Sequence, residues 1–79
     1  MRLDKFLKIS HILKRRTVAN EACVNGRVVV NGKPAKPSLN VKVDDVVEIK
    51  FSDKPFSFKI LKILEHVKKE EAENMYQIL

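Results

Sequence analysis

A chain of 79 residues holds one domain at most, and at 44% hydrophobic and 33% charged residues it reads as a folded protein rather than a disordered tail. Its longest apolar runs are a few residues, such as Val28-Val29-Val30, too short for a membrane-spanning helix; with no apolar signal core behind Met1-Arg2-Leu3-Asp4-Lys5 and a lone Cys23, a reducing, cytoplasmic setting is expected. The net charge of +6 is lopsided: residues 1–36 carry nine Lys/Arg against two acids (+7), and residues 37–79 seven Lys against eight acids (−1), which points to a polyanion held by the first half.

The first predicted element is a helix over 2–14. Leu3, Phe6, Leu7, Ile9, Ile12 and Leu13 share one broad face, and Asp4, Lys8, His11 and Arg15 form the opposite stripe, with Asp4 spaced to pair with Lys8. A second short helix is predicted over 18–25, with Thr17 as N-cap, Gly26 as the left-handed residue after its end, and Ala19 and Ala22 small enough for close approach. Strands follow. Arg27–Val30 and Lys33–Ala35 flank Asn31-Gly32, a pair suited to a tight hairpin, and Pro34 and Pro37 keep the second strand short or at an edge. Val46–Phe51 alternates, with Val47, Ile49 and Phe51 on one face. A turn at Ser52-Asp53-Lys54-Pro55 leads to a strand Phe56–Ile63 with Phe56, Phe58 and Ile60 inward. Helical spacing returns over Lys68–Leu79 through Ala72, Met75, Tyr76 and Leu79. The expected class is α+β: two N-terminal helices packed on a small antiparallel sheet, plus a short C-terminal helix.

The residues with the most pointed chemistry are Arg15 and Arg16, two guanidinium groups beside Thr17 at a helix start. The free N–H groups there already favour an anion, and arginine forks match phosphate oxygens. Arg2, Lys5, Lys8 and Lys14 extend that patch, and Arg27 and Lys33 bring cations to the Asn31-Gly32 turn. Against this stands the plain alternative that a charge run is a solvated helix face. His11, His66 and Cys23 lack metal-ligand spacing, and two glycines are too few for a phosphate-cradling loop. No nucleophile–base pair is evident, so no metal, cofactor or catalytic residue is expected. Cys23 reads as a small core residue, and the C-terminal stripe as core or as a docking helix.

The ordered set Arg2-Leu3-Asp4-Lys5-Phe6-Leu7, Lys14-Arg15-Arg16-Thr17 with Ala19, Gly26-Arg27-Val28, Val30-Asn31-Gly32-Lys33 and Lys36-Pro37-Ser38 resembles the S-four-type RNA-binding domain, over about residues 2–50. The resemblance implies an S-four-like (alpha-L) fold, with residues 1–64 as the RNA-binding domain and 65–79 as a C-terminal helical extension. The tail from Lys68 to Tyr76 narrows the likeness to the small stand-alone RqcP group of ribosome-associated quality-control factors, more distantly the heat-shock-protein-fifteen group. Two departures are Val43-Asp44-Asp45, where the family commonly has Pro-Gly-Asp, and His11, where close relatives often have arginine.

What this implies is a monomeric binding factor on the split large (50S) ribosomal subunit that still carries peptidyl-tRNA. It contacts 23S rRNA and the peptidyl-site tRNA and supports C-terminal alanine tailing of stalled chains by an RqcH-type tailing factor. Arg2 and Arg16 are the implied essential contacts, with Lys5, Lys8, Lys14, Arg15, Thr17, Arg27 and Lys33 around them. Other readings remain: a heat-shock-protein-fifteen-like recycling factor, a plain ribosomal structural protein, or the RNA-binding piece of an rRNA-modifying enzyme. The last needs a catalytic domain for which a chain from Met1 to Leu79 leaves no length, so an enzyme is not expected.

Overall fold

The first apolar stripe forms α1 (Leu3–Ile9) in the computed structural model, which describes residues 1–51 and 54–79. No side chain caps this helix from the position before it. Its opening N–H groups are satisfied by a distant loop: Leu3 N donates to Leu39 O at 2.8 Å and Asp4 N to Pro37 O at 3.1 Å, while Lys5 N donates to the Asp4 carboxylate at 2.8 Å. The helix stops well short of residue 14 because His11 takes a left-handed φ of +62°. There its N–H reaches Lys8 O at 3.1 Å, and Leu13 N returns to Leu7 O at 3.0 Å. Ile12 and Leu13 are thereby folded back against the core, so their apolar periodicity outruns the helix, and His11 and Arg15 are not on a helical stripe with Lys8.

The second helix, α2, spans Arg16–Val24 and begins two residues before the predicted start. Arg15, extended at φ −128°, holds the N-cap position, so Thr17 lies inside the first turn and does not cap. The start is set by tertiary contact: Arg15 O accepts the first helical bond from Ala19 N at 3.2 Å, and the Arg16 side chain is anchored on α1. The other end follows expectation. Gly26 at φ +74° lets its own N–H reach Cys23 O at 3.0 Å and Arg27 N reach Ala22 O at 2.9 Å, the paired closure of a Schellman motif.

Five strands follow as one antiparallel sheet in the order β2-β1-β3-β4-β5. They are β1 (Val28–Val30), β2 (Lys33–Pro34), β3 (Val46–Phe51), β4 (Lys54–Ile60) and β5 (Tyr76–Ile78). Asn31 (φ +51°) and Gly32 (φ +83°) are both left-handed, which matches a type I′ turn and sets the register Val30↔Lys33. Pro34, which has no N–H for a ladder, keeps β2 to two residues at the sheet edge. Val47, Ile49, Phe58 and Ile60 are fully buried and Phe56 is half-buried. The predicted turn at Ser52-Asp53 lies outside the described residues, whereas Lys54 and Pro55, expected in that turn, already belong to β4.

Where the resemblance expects Pro-Gly-Asp, the turn keeps a left-handed residue without the glycine. Asp44 sits at φ +77°, and Asp45 N closes on Lys42 O at 3.1 Å. The Asp45 carboxylate supports that turn by accepting from Lys42 N at 2.9 Å and from Asn31 Nδ2 at 3.0 Å.

The C-terminal segment departs most from expectation. Helical geometry covers only α3 (Lys69–Ala72) and a 3-10 turn, Glu73–Met75. Residues Tyr76–Ile78 form β5, with Ile60↔Tyr76 and Phe58↔Ile78 in register. The open edge of β4 offers backbone partners that continued helix would forgo, and Leu79 N also reaches Ser57 O at 3.0 Å. Met75 enters the same core as Leu3, Phe6 and Phe58 and is wholly buried. Phe6 stacks on Phe58 at 6.3 Å between ring centroids, and Tyr76 meets Phe58 edge-on at 5.6 Å.

Candidate nucleic-acid interface

Burial of Asp4 organises the corner where α1 and α2 bring Arg2 and Arg16 together. Asp4 directly follows Leu3 and precedes Leu7 by three residues, both fully buried, so its side chain is drawn to the flank of the apolar stripe and is only 3% exposed. A carboxylate there needs donors. It takes two from Arg2, with Nε and Nη2 each at 3.2 Å, one from Arg16 Nη2 at 3.4 Å, and one from Asn20 Nδ2 at 3.5 Å, besides the Lys5 N–H. Desolvation works against its charge, but the Arg2 and Asn20 hydrogen bonds, the Arg16 charge and the Lys5 N–H outweigh it and hold the carboxyl below its ordinary value. Asp4 therefore pairs with Arg2 at the N-cap of its own helix and across to Arg16 on α2, not along the helix with Lys8.

The consequence is a pair of arginines fixed at their inner edge and open at their outer one. The Arg2 and Arg16 side chains are 50% and 49% exposed, and most of their five N–H donors each remain free for an anion. Thr17, Asn20 and Glu21 complete the rim of the shallow groove between them. The start of α2 opens onto this corner with no side chain capping it, which adds the positive end of a helix dipole. Lys14 and Arg15, both exposed, lie in the connection leading into α2. Two guanidinium groups held at one carboxylate, beside a helix start, have the chemistry to grip a phosphate as a two-pronged clamp.

The other predicted site residues are distributed differently. Lys5 turns away from the corner, its Nζ 2.7 Å from Glu65 Oε2, and that bond and charge hold the Glu65 carboxyl below its ordinary value. Lys8 is exposed and borders a shallow depression with His11, Glu65 and His66. Arg27 lies beyond the far end of α2, a helix of nine residues, roughly 14 Å from its start. Lys33 is on β2, in a separate groove. Arg2, Arg16 and Thr17 are thus brought together, and Lys5, Lys8, Arg27 and Lys33 are not. Sequence reasoning missed Asp4 and Asn20 as members of the site. The available signal was an acid flanking an apolar stripe rather than lying opposite it.

Cys23 on α2 is buried in the core, and burial, seconded by the Asp4 charge, pushes its thiol up to about 11.

The S4 domain family model matches residues 1–47, a stretch that contains the whole corner. Across all 79 residues the chain is 52% identical to the "RQC P-site tRNA stabilizing factor" of Streptococcus pneumoniae, covering 90% of that protein. It is 47% identical to the protein of the same name from Bacillus subtilis, covering 92% of it. Among solved structures, the trimeric heat shock protein 15 of Vibrio cholerae is similar with a TM-score of 0.91 and 29% identity, over all of this chain and 81% of that one.

Proposed function

The chain belongs to the S4 domain family and, within it, to the RQC P-site tRNA stabilizing factors, and from that premise we propose that it is a cytoplasmic, non-catalytic RNA-binding factor of ribosome-associated quality control. It acts as a monomer on the split large subunit that still carries peptidyl-tRNA. There it contacts 23S rRNA and the peptidyl-site tRNA and keeps the tRNA in position while an RqcH-type factor directs alanine tailing. One observation carries this reading: the buried Asp4 presents Arg2 and Arg16 outward as a rigid pair, which suits phosphate and shape recognition of folded RNA. The aromatic side chains support the same mode, because Phe6 and Phe58 are spent on the core rather than offered for base stacking.

The expected partition of labour leaves bond making and breaking to the ribosome and the tailing factor. This chain contributes cations at fixed positions, and positional restraint of a tRNA needs nothing more. Sedimentation tests the reading: the protein should be enriched on free large subunits bearing peptidyl-tRNA, and Arg16→Ala or Arg2→Ala should abolish that association while the circular dichroism stays unchanged. Uniform presence on translating ribosomes would instead make it a structural ribosomal protein. Loss of the fold in both variants would make the arginines structural rather than binding groups.

A further inference from the structure

A second cationic surface lies at the β2 edge of the sheet. The groove there has a volume of about 630 Å³ and runs between β2 and the segment 36–42, with Lys33, Lys36 and Lys42 on its walls. All three lysines are exposed, and among the described residues none of them is in an ion pair. The one acid on the groove wall, Asp45, has both carboxylate oxygens engaged, Oδ1 by Asn31 Nδ2 at 3.0 Å and Oδ2 by Lys42 N at 2.9 Å. Those bonds hold the Lys42–Asp45 turn, and the single Asp45 charge offsets only one of the three lysines, so the groove keeps a cationic excess.

The groove also joins the arginine corner through the backbone. Residues 37–41 run alongside the N-terminus: Leu3 N bonds Leu39 O at 2.8 Å, Val41 N bonds Met1 O at 2.9 Å, and Arg2 pairs with Asn40 in an antiparallel bridge. Asn40 itself lines the groove, so the bridge to Arg2 is where the two surfaces meet. Cationic side chains are therefore found on both sides of the Arg2–Asn40 bridge, Arg16 and Arg2 on one and Lys42, Lys36 and Lys33 on the other. The alternative track, along α1 through Lys5 and Lys8, is weakened at its first step by Glu65.

We propose that this groove is a second phosphodiester subsite, in which Lys36 and Lys42, with Lys33, hold RNA backbone continuing from the Arg2–Arg16 clamp. The inference rests on the RNA-binding reading of that clamp and adds the direction in which the bound RNA leaves it. Lysines suit such a role, since flexible ammonium groups follow a backbone without demanding one fixed phosphate geometry.

Filter binding to purified 23S rRNA over a salt series tests the inference, comparing the unmodified protein with Arg16→Ala, Lys36→Ala, Lys42→Ala and the double lysine variant. Each lysine removed should lower the salt slope by roughly 0.7–0.9, and the pair should weaken binding by about tenfold. Lys36→Arg with Lys42→Arg should restore both. Failure of the unmodified protein to bind would overturn the clamp reading and this one together. If Arg16→Ala weakens binding but the lysine variants keep the affinity and slope of the unmodified protein, the clamp stands and the subsite is refuted. Lysine variants that lose only their hold on whole large subunits, with naked rRNA binding intact, would assign the groove to an acidic ribosomal protein and equally refute an RNA subsite.

Discussion

Asp4 is a buried carboxylate at the edge of the core, and three side chains from two elements converge on it. Its spacing to Lys8 suggests an ordinary surface pair, and a helix read in isolation offers no better partner. The three-dimensional packing brings Arg2, Arg16 and Asn20 to it instead, from residues up to sixteen positions away. Such a contact is not legible from periodicity, because it depends on how α2 crosses α1. We expect Asp4→Asn to keep the fold but lower stability by about 1–3 kcal/mol, less than a fully buried ion pair because half of each arginine remains hydrated. RNA affinity should fall severalfold with the salt slope preserved, since the cations are still present but no longer held in place. A changed slope with unchanged affinity would contradict this role. The pH dependence follows from the lowered carboxyl: a group with a depressed folded-state value stabilises fully above its unfolded value, near 3.9, and loses that contribution as pH falls through the folded one. Thermal melts of the unmodified protein should therefore weaken below about pH 4, and Asp4→Asn should lack that part of the acid loss.

At the scale of elements, turns are more legible than ends. Asn31-Gly32 and Gly26 announce their left-handed backbone by residue type, and the structure has both. His11 and Asp44 take the same backbone region on a far weaker signal, since His and Asp are enriched there yet mostly adopt negative φ, which is why apolar periodicity extends the first helix too far and leaves the form of the Asp44 turn open. The tail shows the other limit. Ala72 and Met75 are buried as helical spacing suggests, yet Tyr76–Ile78 join β4, because an open sheet edge is a tertiary fact that local periodicity does not contain. This assignment has a stability signature. Met75 is wholly buried in the same core as the N-terminal helix, so Met75→Ala should cost about 2–4 kcal/mol, whereas Met75→Leu should cost under about 1.5. Ile78, 61% exposed on β5, should change stability by no more than about 0.5 kcal/mol when cut to alanine. Chemical denaturation of the three variants measures this, and equal small effects for all would mean that the tail is not part of the core.

Over the whole molecule, the charge imbalance between the two halves of the chain is what the proposed RNA-facing side rests on, but charge alone does not separate diffuse attraction from an organised clamp. The two mechanisms differ in what they ask of net charge. If the field of the whole protein dominated, any two cations would be equivalent, and Lys62→Gln with Lys68→Gln, which lowers the net charge from +6 to +4, should weaken RNA binding as much as any other pair. If the clamp dominates, the fork geometry matters more than the count. Arg2→Lys with Arg16→Lys leaves the net charge at +6 but replaces two planar five-donor groups by point charges, removing both the paired hydrogen bonds from Arg2 to Asp4 and the bidentate match to phosphate. The structure favours the second case, since Lys62 and Lys68 are exposed in the segment between β4 and α3 and take no part in the corner. The charge-conserving arginine pair should therefore bind 23S rRNA at least about tenfold more weakly than the charge-depleted lysine pair, a free-energy difference of about 1.4 kcal/mol, in parallel titrations at one salt concentration. Melting curves of the arginine pair guard against a trivial cause, because the two introduced ammonium groups can still pair with Asp4 and should leave most molecules folded at the assay temperature. The reverse order of affinities would mean that the corner is an accident of packing and that the first half of the chain attracts RNA through its field alone.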